Sequence, residues 1–409
     1  MKLHYTCFFL LLFSAFGAQA QTIARYTVNA GNINRHNSIV HYRLNNPADT
    51  AQLVMEEVIG KKRMPVPVTI ADGEVWWIMS GNTPAGSIRK YELKHTAGKP
   101  SAHPVMRAVL QSGAVVLEQD TQHILQYNYE TVRPPAGVDT LYNRSGFIHP
   151  LWAPNGAVLT NIFPNVPHMH HMGIWNPWTH TLFEGQEVDF WNVQRKEGTV
   201  RFAKMLGVTS GGVWCGFTAK QEHIAFMKDG TKKVALNETW HVQAYPATSQ
   251  GARRQWDLTS VFSCATDSAV TLLQYRYGGG FGLRTTADFT AKTSQVLTSE
   301  GKTRKDADST RARWIKITGT TPQGRAGLLI MGAPTNYDAP EPLRVWPEDM
   351  EGGELMVNFS PIRMKPWVLT NGNEYTLTYR VMVYDGDITP EEADAAWQEF
   401  AHPPVVTTY

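Results

Sequence analysis

YTLTYRVMVY, residues 375–384, puts Tyr375, Leu377, Tyr379, Val381 and Val383 on one parity, with Thr376, Thr378 and Arg380 on the other. A period of two is the pattern of a half-buried β-strand, because successive side chains point to opposite faces. YNYETV (127–132) and VALNETWHVQAY (234–245) repeat it, and turn signals such as ADG, PNG, KDG, TNGN and YDGD recur along the chain. The pattern predicts an all-β chain of antiparallel sheets stacked as sandwiches, not βαβ units. One helix is predicted, near the C-terminus. Thr389 is a cap, Pro390 fits the first helical position and Glu392 completes a capping box. Ala393, Ala396, Trp397 and Phe400 then share a face, which reads as a packing surface.

At 409 residues the chain exceeds an ordinary domain and is expected to divide. The strand signal breaks at TAGKPSAHP (96–104). Residues 21–105, including WWIMSGNTPAGSIRKYEL (76–93), are predicted to form a small β-sandwich module. Residues 106–409 are predicted to form a large antiparallel β-sandwich. A 42% share of hydrophobic residues supports sizeable cores.

Residues 1–20 read as a secretory signal peptide: Lys2, the apolar run CFFLLLFSAFGA, then Ala18-Gln19-Ala20 before Gln21. The expected location is periplasmic or secreted. No later run reaches the ~18 apolar residues of a membrane span, so stable membrane insertion is not expected. The formal charge of +2 comes without a basic patch, which argues against nucleic acid as a partner. Cys215 and Cys264 remain after cleavage. They can pair or stay as buried thiols, and they are too few for a cysteine zinc site.

The chemistry concentrates in VPHMHHMGIWNPW (166–178). If 166–172 is extended, His168 and His170 project to one face and His171 to the other. An H-x-H pair suits a metal if further ligands join it, and it equally suits acid/base work near neutral pH. Trp175, Trp178 and Trp191 offer either flat surfaces for the C–H face of a sugar or core filling. Glu184, Glu187 and Asp189 sit in the nearby turn LFEGQEVDFWN. Glu238 shares the parity of Val234, Leu236, Trp240 and Val242. A carboxylate on an apolar face is either functional or paired, for instance with an arginine. QYRYGGGFGLR (274–284) places Arg276 and Arg284 around glycines that do not precede a helix, so a nucleotide loop is not expected. TSEGKTRKDADSTRARW (298–314) adds Glu300, Lys302, Arg311 and Arg313.

SGFIHPLWAPNGAVLT (145–160), H-x-H-H-x-G-I-W (168–175), DFWN (189–192), GGGFGLR (278–284), SEGK (299–302) and RARW (311–314) occur in that order. This ordered set resembles a bacterial family labelled PmoA-like, over about residues 110–390. Members usually carry an arginine where this chain has Met172. The label suggests a methane oxygenase subunit, an integral membrane protein, which does not fit a chain without a spanning segment. The resemblance implies an exported protein of carbohydrate-degrading bacteria with a sandwich similar to galactose mutarotase. In that superfamily, histidine and glutamate act as acid and base.

The combined expectation is an exported carbohydrate-active enzyme performing glycoside hydrolysis or a related acid/base reaction. His170 or His171 would be the acid/base, with Glu238 or Glu300 as carboxylate partner. His168, Trp175, Trp178, Arg276, Arg284 and Lys302 would bind the carbohydrate ligand. No cofactor or metal is assigned. The alternatives are a non-catalytic glycan-binding protein and a metal enzyme ligated by His168 and His170.

Overall fold

The computed structural model describes residues 22–44, 53–95, 105–164, 168–176, 178–248 and 252–409. The expected leader at 1–20 and the expected break at 96–104 lie outside the described residues. Among those described, the fold is all-β, with five antiparallel sheets and one α-helix.

Two eight-stranded sheets form the large sandwich. The first runs, in spatial order, Leu343–Val345, Met356–Phe359, Phe281–Arg284, Ile174–Trp175, Phe147–Leu151, Gln122–Asn128, Ala114–Gln119 and Met106–Gln111. The second runs Gly198–Thr209, Cys215–Phe226, Lys232–Ala244, Arg253–Cys264, Tyr375–Asp385, Gly324–Gly332, Trp314–Thr321 and Ser294–Thr298. The alternation decides which residues face inward. Leu377, Tyr379, Val381 and Val383 join Leu236, Trp240 and Val242 from the second sheet. They pack against Val115, Leu125, Ile148, Leu283 and Val357 of the first. Each such side chain contributes about 1.5–3 kcal/mol by leaving water. YNYETV is only partly strand. The strand ends at Asn128, because the Tyr129 and Glu130 amides both turn to the Gly113 carbonyl.

The helix Pro390–Ala401 has the expected capping box: Thr389 Oγ1 accepts from the Glu392 amide (3.2 Å) and the Thr389 amide donates to Glu392 Oε2 (2.9 Å). Its Ala393 and Trp397 cover the outer face of the second sheet, over Trp314, Leu329, Met331, Met382 and Tyr384. This cover explains why Met382 and Tyr384 are buried although they lie on the polar parity of the strand.

Near the N-terminus, a five-stranded sheet (Val405–Thr408, Thr22–Asn29, Ile88–His95, Leu53–Ile59, Lys62–Val66) faces a three-stranded one (Arg35–Arg43, Glu74–Thr83, Val68–Ala71). Tyr26, Val28, Met55, Trp77 and Tyr91 fill the space between them. Val405–Thr408 pairs antiparallel with Thr22–Asn29. The last strand therefore belongs to the N-terminal sheet, where the sequence reading had assigned all of 106–409 to the large sandwich. The two parts meet where Thr69 Oγ1 accepts from the Val213 amide (2.9 Å) and Trp76 meets Trp214 edge-on. Cys215 and Cys264 are both free and buried, so they do not pair. Among the described residues no helix is long and apolar enough to cross a membrane.

Candidate functional site

The site grows from the outer parity of the first sheet. Along Phe147–Leu151, Phe281–Arg284 and Met356–Phe359, the residues Ile148, Leu283 and Val357 enter the main core. Their neighbours Phe147, Arg284 and Met356 point the other way, and Trp175 does the same beside Ile174. Phe147, Met172, Trp175, Trp191, Trp346 and Met356 form a separate apolar floor. Met172 fills part of this floor. Above it lies a pocket of about 160 Å³, lined by His168, His170, His171, Trp191, Asn192, Gln194, Arg276, Tyr277, Arg344, Trp346, Met350 and Met356.

Residues 168–172 are not extended. The His171 amide donates to the His168 carbonyl (3.0 Å), and Gly173 has φ +60°. The turn brings all three imidazoles to one pocket, with ring centroids 5.8 Å (His168–His170), 5.0 Å (His168–His171) and 4.7 Å (His170–His171) apart. The strand parity that set His171 against the other two therefore does not apply. Gly173 has no alternative here: a Cβ would come within 2.2 Å of the Ile148 carbonyl.

Burial, reinforced by cationic neighbours, keeps these rings neutral. His170 is pushed down to about 3 by desolvation, then by His168, Arg144 and Arg284. His171 is driven well below its ordinary value for the same first reason, with His170 and Arg284 adding to it. His168, only half-buried, is lowered less severely, because Glu351 opposes the effect of burial. Glu351 Oε1 stands 3.6 Å from His168 Nδ1, beyond hydrogen-bond reach. Among the described residues, the Nδ1 atoms of His168 and His170 have no hydrogen-bond partner.

The pocket wall is held by a buried carboxylate. Asp189 accepts from Thr179 Oγ1 (2.7 Å), the Trp191 and Asn192 amides (2.8 Å each) and Asn192 Nδ2 (2.7 Å). This fixes Trp191 and Asn192 against the histidines and explains the DFWN motif. Asn192 Nδ2 also donates to the Tyr277 hydroxyl (3.3 Å). Burial raises the Tyr277 pKa, so the phenol keeps its proton.

The residues expected from sequence divide. His168, His170, His171 and Arg276 line the pocket. Arg284 lies directly behind it, 3.5 Å from His171 Nδ1, stacked over Trp346 at 4.7 Å and paired with Glu354. Trp175 backs His171, ring to ring at 5.1 Å, and is no exposed platform. Trp178 is a core residue, packed on Phe262, Trp367 and Gly279.

Glu238 is corrected from catalyst to core. It faces inward with Trp240, on the far side of the first sheet from the pocket floor. There it accepts from Asn176 Nδ2 (2.8 Å), Ser260 Oγ (2.6 Å) and Trp240 Nε1 (2.6 Å), with His223 Nε2 at 2.7 Å. Burial alone would raise its pKa, but these bonds more than offset that and hold it below its ordinary value. Its partner is therefore a histidine, not an arginine.

Glu300 and Lys302 are also corrected. Glu300 is exposed beside Ser299 and Arg313, and Arg313 turns to Asp394 of the helix. Lys302 pairs with Asp306 (3.2 Å). Their loop serves the pocket through Arg304 instead, which donates to the carbonyls of Trp346 (2.9 Å) and Pro347 (3.2 Å).

Trp346, Tyr277, Arg344, Asn192 and the buried Arg144 were missed. The one signal for Trp346 is a tryptophan inside an otherwise acidic turn, VWPEDMEGGE (345–354). Among the described residues no group of three or more His, Cys, Asp or Glu side chains is arranged to hold a metal ion.

No curated protein matches the chain. Among solved structures, an α-mannosidase from Enterococcus faecalis V583 superposes with a TM-score of 0.44 at 10% identity, covering 94% of this chain and 46% of that one. A glycosyl hydrolase family 38 protein from Enterococcus faecalis gives 0.44 at 10% identity, covering 96% and 48%. The heparan sulfate lyase HepC from Pedobacter heparinus gives 0.30 at 9% identity, covering 72% and 38%. The chain thus spans less than half the length of each of these three proteins. The family that matches residues 114–398 is described as a family of unknown function (DUF6807). That match corrects the PmoA-like resemblance, to which nothing in these comparisons points. With the greater part of its length matched, the chain belongs to the DUF6807 family.

Proposed function

We propose that this chain is an exported carbohydrate-active enzyme that carries out proton transfer on a sugar at the histidine pocket. The observation that carries this reading is the convergence of three neutral imidazoles beside two tryptophans, Trp191 and Trp346, at one small pocket. Aromatic faces suit the C–H surface of a pyranose, and a few convergent polar groups orient it. The leader-like segment at 1–20 supports a periplasmic or secreted location.

The roles differ from those expected. A base must be neutral and reachable. His168 is the least buried of the three and the least depressed, so it is assigned as base. His170 and His171 are too deeply desolvated to exchange protons readily, and they position the substrate. Tyr277 receives a hydrogen bond from Asn192 and keeps its own proton to give, which suits the acid. The usual glycosidase mechanism needs two carboxylates flanking the bond, and among the described residues lining the pocket none is Asp or Glu. The site therefore favours elimination or epimerisation over two-carboxylate hydrolysis.

The test is a panel of oligosaccharides incubated with the full chain and read by mass spectrometry and by proton NMR, which registers an epimer of unchanged mass. Elimination gives fragments whose masses sum to that of the substrate, whereas hydrolysis adds a water. His168→Ala and Tyr277→Phe should each slow turnover about 100-fold. Unchanged turnover in both variants would overturn the assignment.

A further inference from the structure

We propose that the histidine pocket takes a sugar bearing an anionic group, a carboxylate or a sulfate, held between Arg276 and Arg344. This rests on the carbohydrate reading above and names the substrate class within it.

Both guanidinium groups line the pocket, and no carboxylate among the described residues does. Arg276 is exposed at the rim, and among the described residues it forms no ion pair. Its guanidinium lies over the Tyr275 and Tyr277 rings at 6.0 and 5.5 Å. Stacked on these aromatics, its edge N–H groups remain free for a ligand. Arg344 is held by Asp308 at 2.9 Å, yet among the described residues its buried Nε has no partner. Asp308 is shared with Arg363 at 3.0 Å, so this one carboxylate faces two guanidinium groups and leaves an excess of positive charge.

Behind the lining, Arg284 is balanced by Glu354, and the buried Arg144, whose side chain among the described residues donates to Thr199 Oγ1 at 3.3 Å, feels the opposing charge of Glu238. Besides Asp308 on Arg344, Glu351 faces the lining residue His168 and Asp189 holds the lining residue Asn192. The rest of the lining consists of neutral imidazoles, amides, aromatics and two methionines, none of which cancels charge. A pocket with surplus guanidinium groups stabilises an anion through charge-assisted hydrogen bonds, and planar forks match the geometry of carboxylate and sulfate. A neutral hydroxyl would leave those charges uncompensated.

The experiment is calorimetric titration of the full chain with a galacturonate tetrasaccharide, a 6-sulfated glucosamine oligosaccharide and their neutral counterparts. At least one acidic ligand should bind about ten-fold or more tightly than its neutral counterpart. Which of the two does so distinguishes carboxylate from sulfate. Arg276→Gln and Arg344→Gln should each remove most of that advantage. Arg276 is exposed and Asp308 keeps Arg363, so both variants should retain the parent melting temperature. Equal binding of neutral and acidic ligands, or an advantage that survives both substitutions, would overturn the anionic class and leave the carbohydrate reading standing. If none of the four binds and the oligosaccharide panel gives no product, the carbohydrate reading fails first and takes this inference with it.

Discussion

Glu238 and His170 are both buried polar groups, and their partners separate them. Glu238 receives four donors and sits in the core, whereas His170 has an unpartnered Nδ1 at a pocket. Glu238→Gln would turn an amide N–H₂ toward groups that are themselves donors. It should cost about 3 kcal/mol of stability while turnover per folded molecule falls less than ten-fold. Chemical denaturation together with active-site-normalised rates checks both halves. A rate loss of a hundred-fold without destabilisation would restore a catalytic role. His170 makes the opposite prediction, one of pH. Its folded pKa of about 3 lies below the ordinary value of 6.5, so the unfolded chain binds its proton more tightly. Its contribution is complete above about pH 6.5 and is lost as pH falls toward 3, at roughly 1 kcal/mol per pH unit. Denaturation between pH 7 and pH 5 should show a shallower acid slope in His170→Gln than in the parent. Equal slopes would mean that the ring is solvated.

At the scale of elements, strands and helix were legible because they are local: alternation marks Tyr375–Asp385 and Lys232–Ala244, and the capping box marks Pro390–Ala401. The pocket was legible only in part. Its histidines stood out by density, but their mutual direction was misread, since parity holds only where the backbone is extended and 168–172 is a turn. Tyr277, Arg344 and Trp346 could not be found locally. They meet the histidines because Ile174–Trp175, Phe281–Arg284, Met356–Phe359 and Leu343–Val345 are consecutive in the sheet though far apart in the chain. Glu238 misled for the converse reason: inward parity reports burial, and burial alone does not tell a hydrogen-bonded core group from a catalyst. The turn itself is testable through its glycine. Gly156→Ala, at φ +87° with open space around it, should cost about 1 kcal/mol. Gly173→Ala carries the same kind of backbone strain plus a clash with the Ile148 carbonyl, and should cost about 3 kcal/mol. It should also displace the histidines, which tryptophan fluorescence from Trp191 and Trp346 would register. Similar costs for the two variants would show that the turn relaxes freely.

At the scale of the molecule, the last strand returns to the first described one. Leaving the helix that covers the large sandwich, it adds Val405–Thr408 as an edge strand on Thr22–Asn29. Val406 packs against the core of the N-terminal module, and the Tyr409 amide donates to the Arg25 carbonyl (3.2 Å). The helix reaches the same module through Glu399, which accepts from Arg35 Nη1 (3.2 Å) and Ser38 Oγ (2.9 Å). Covering an otherwise open strand edge removes a row of unpaired backbone groups, so the last residues act as a clasp on the first module and not on the large sandwich. Removing residues 403–409 should therefore destabilise one part selectively. The lost ladder bonds and the burial of Val406 amount to about 2 kcal/mol. Calorimetry should show a lower-temperature transition splitting from the main one, and limited proteolysis should cut within residues 22–95. The histidine pocket, built wholly from residues 168–356, should keep its ligand binding. A truncated chain that melts in one unchanged transition would show that the strand contributes nothing. Loss of pocket binding would show instead that the module and the sandwich fold as a single unit.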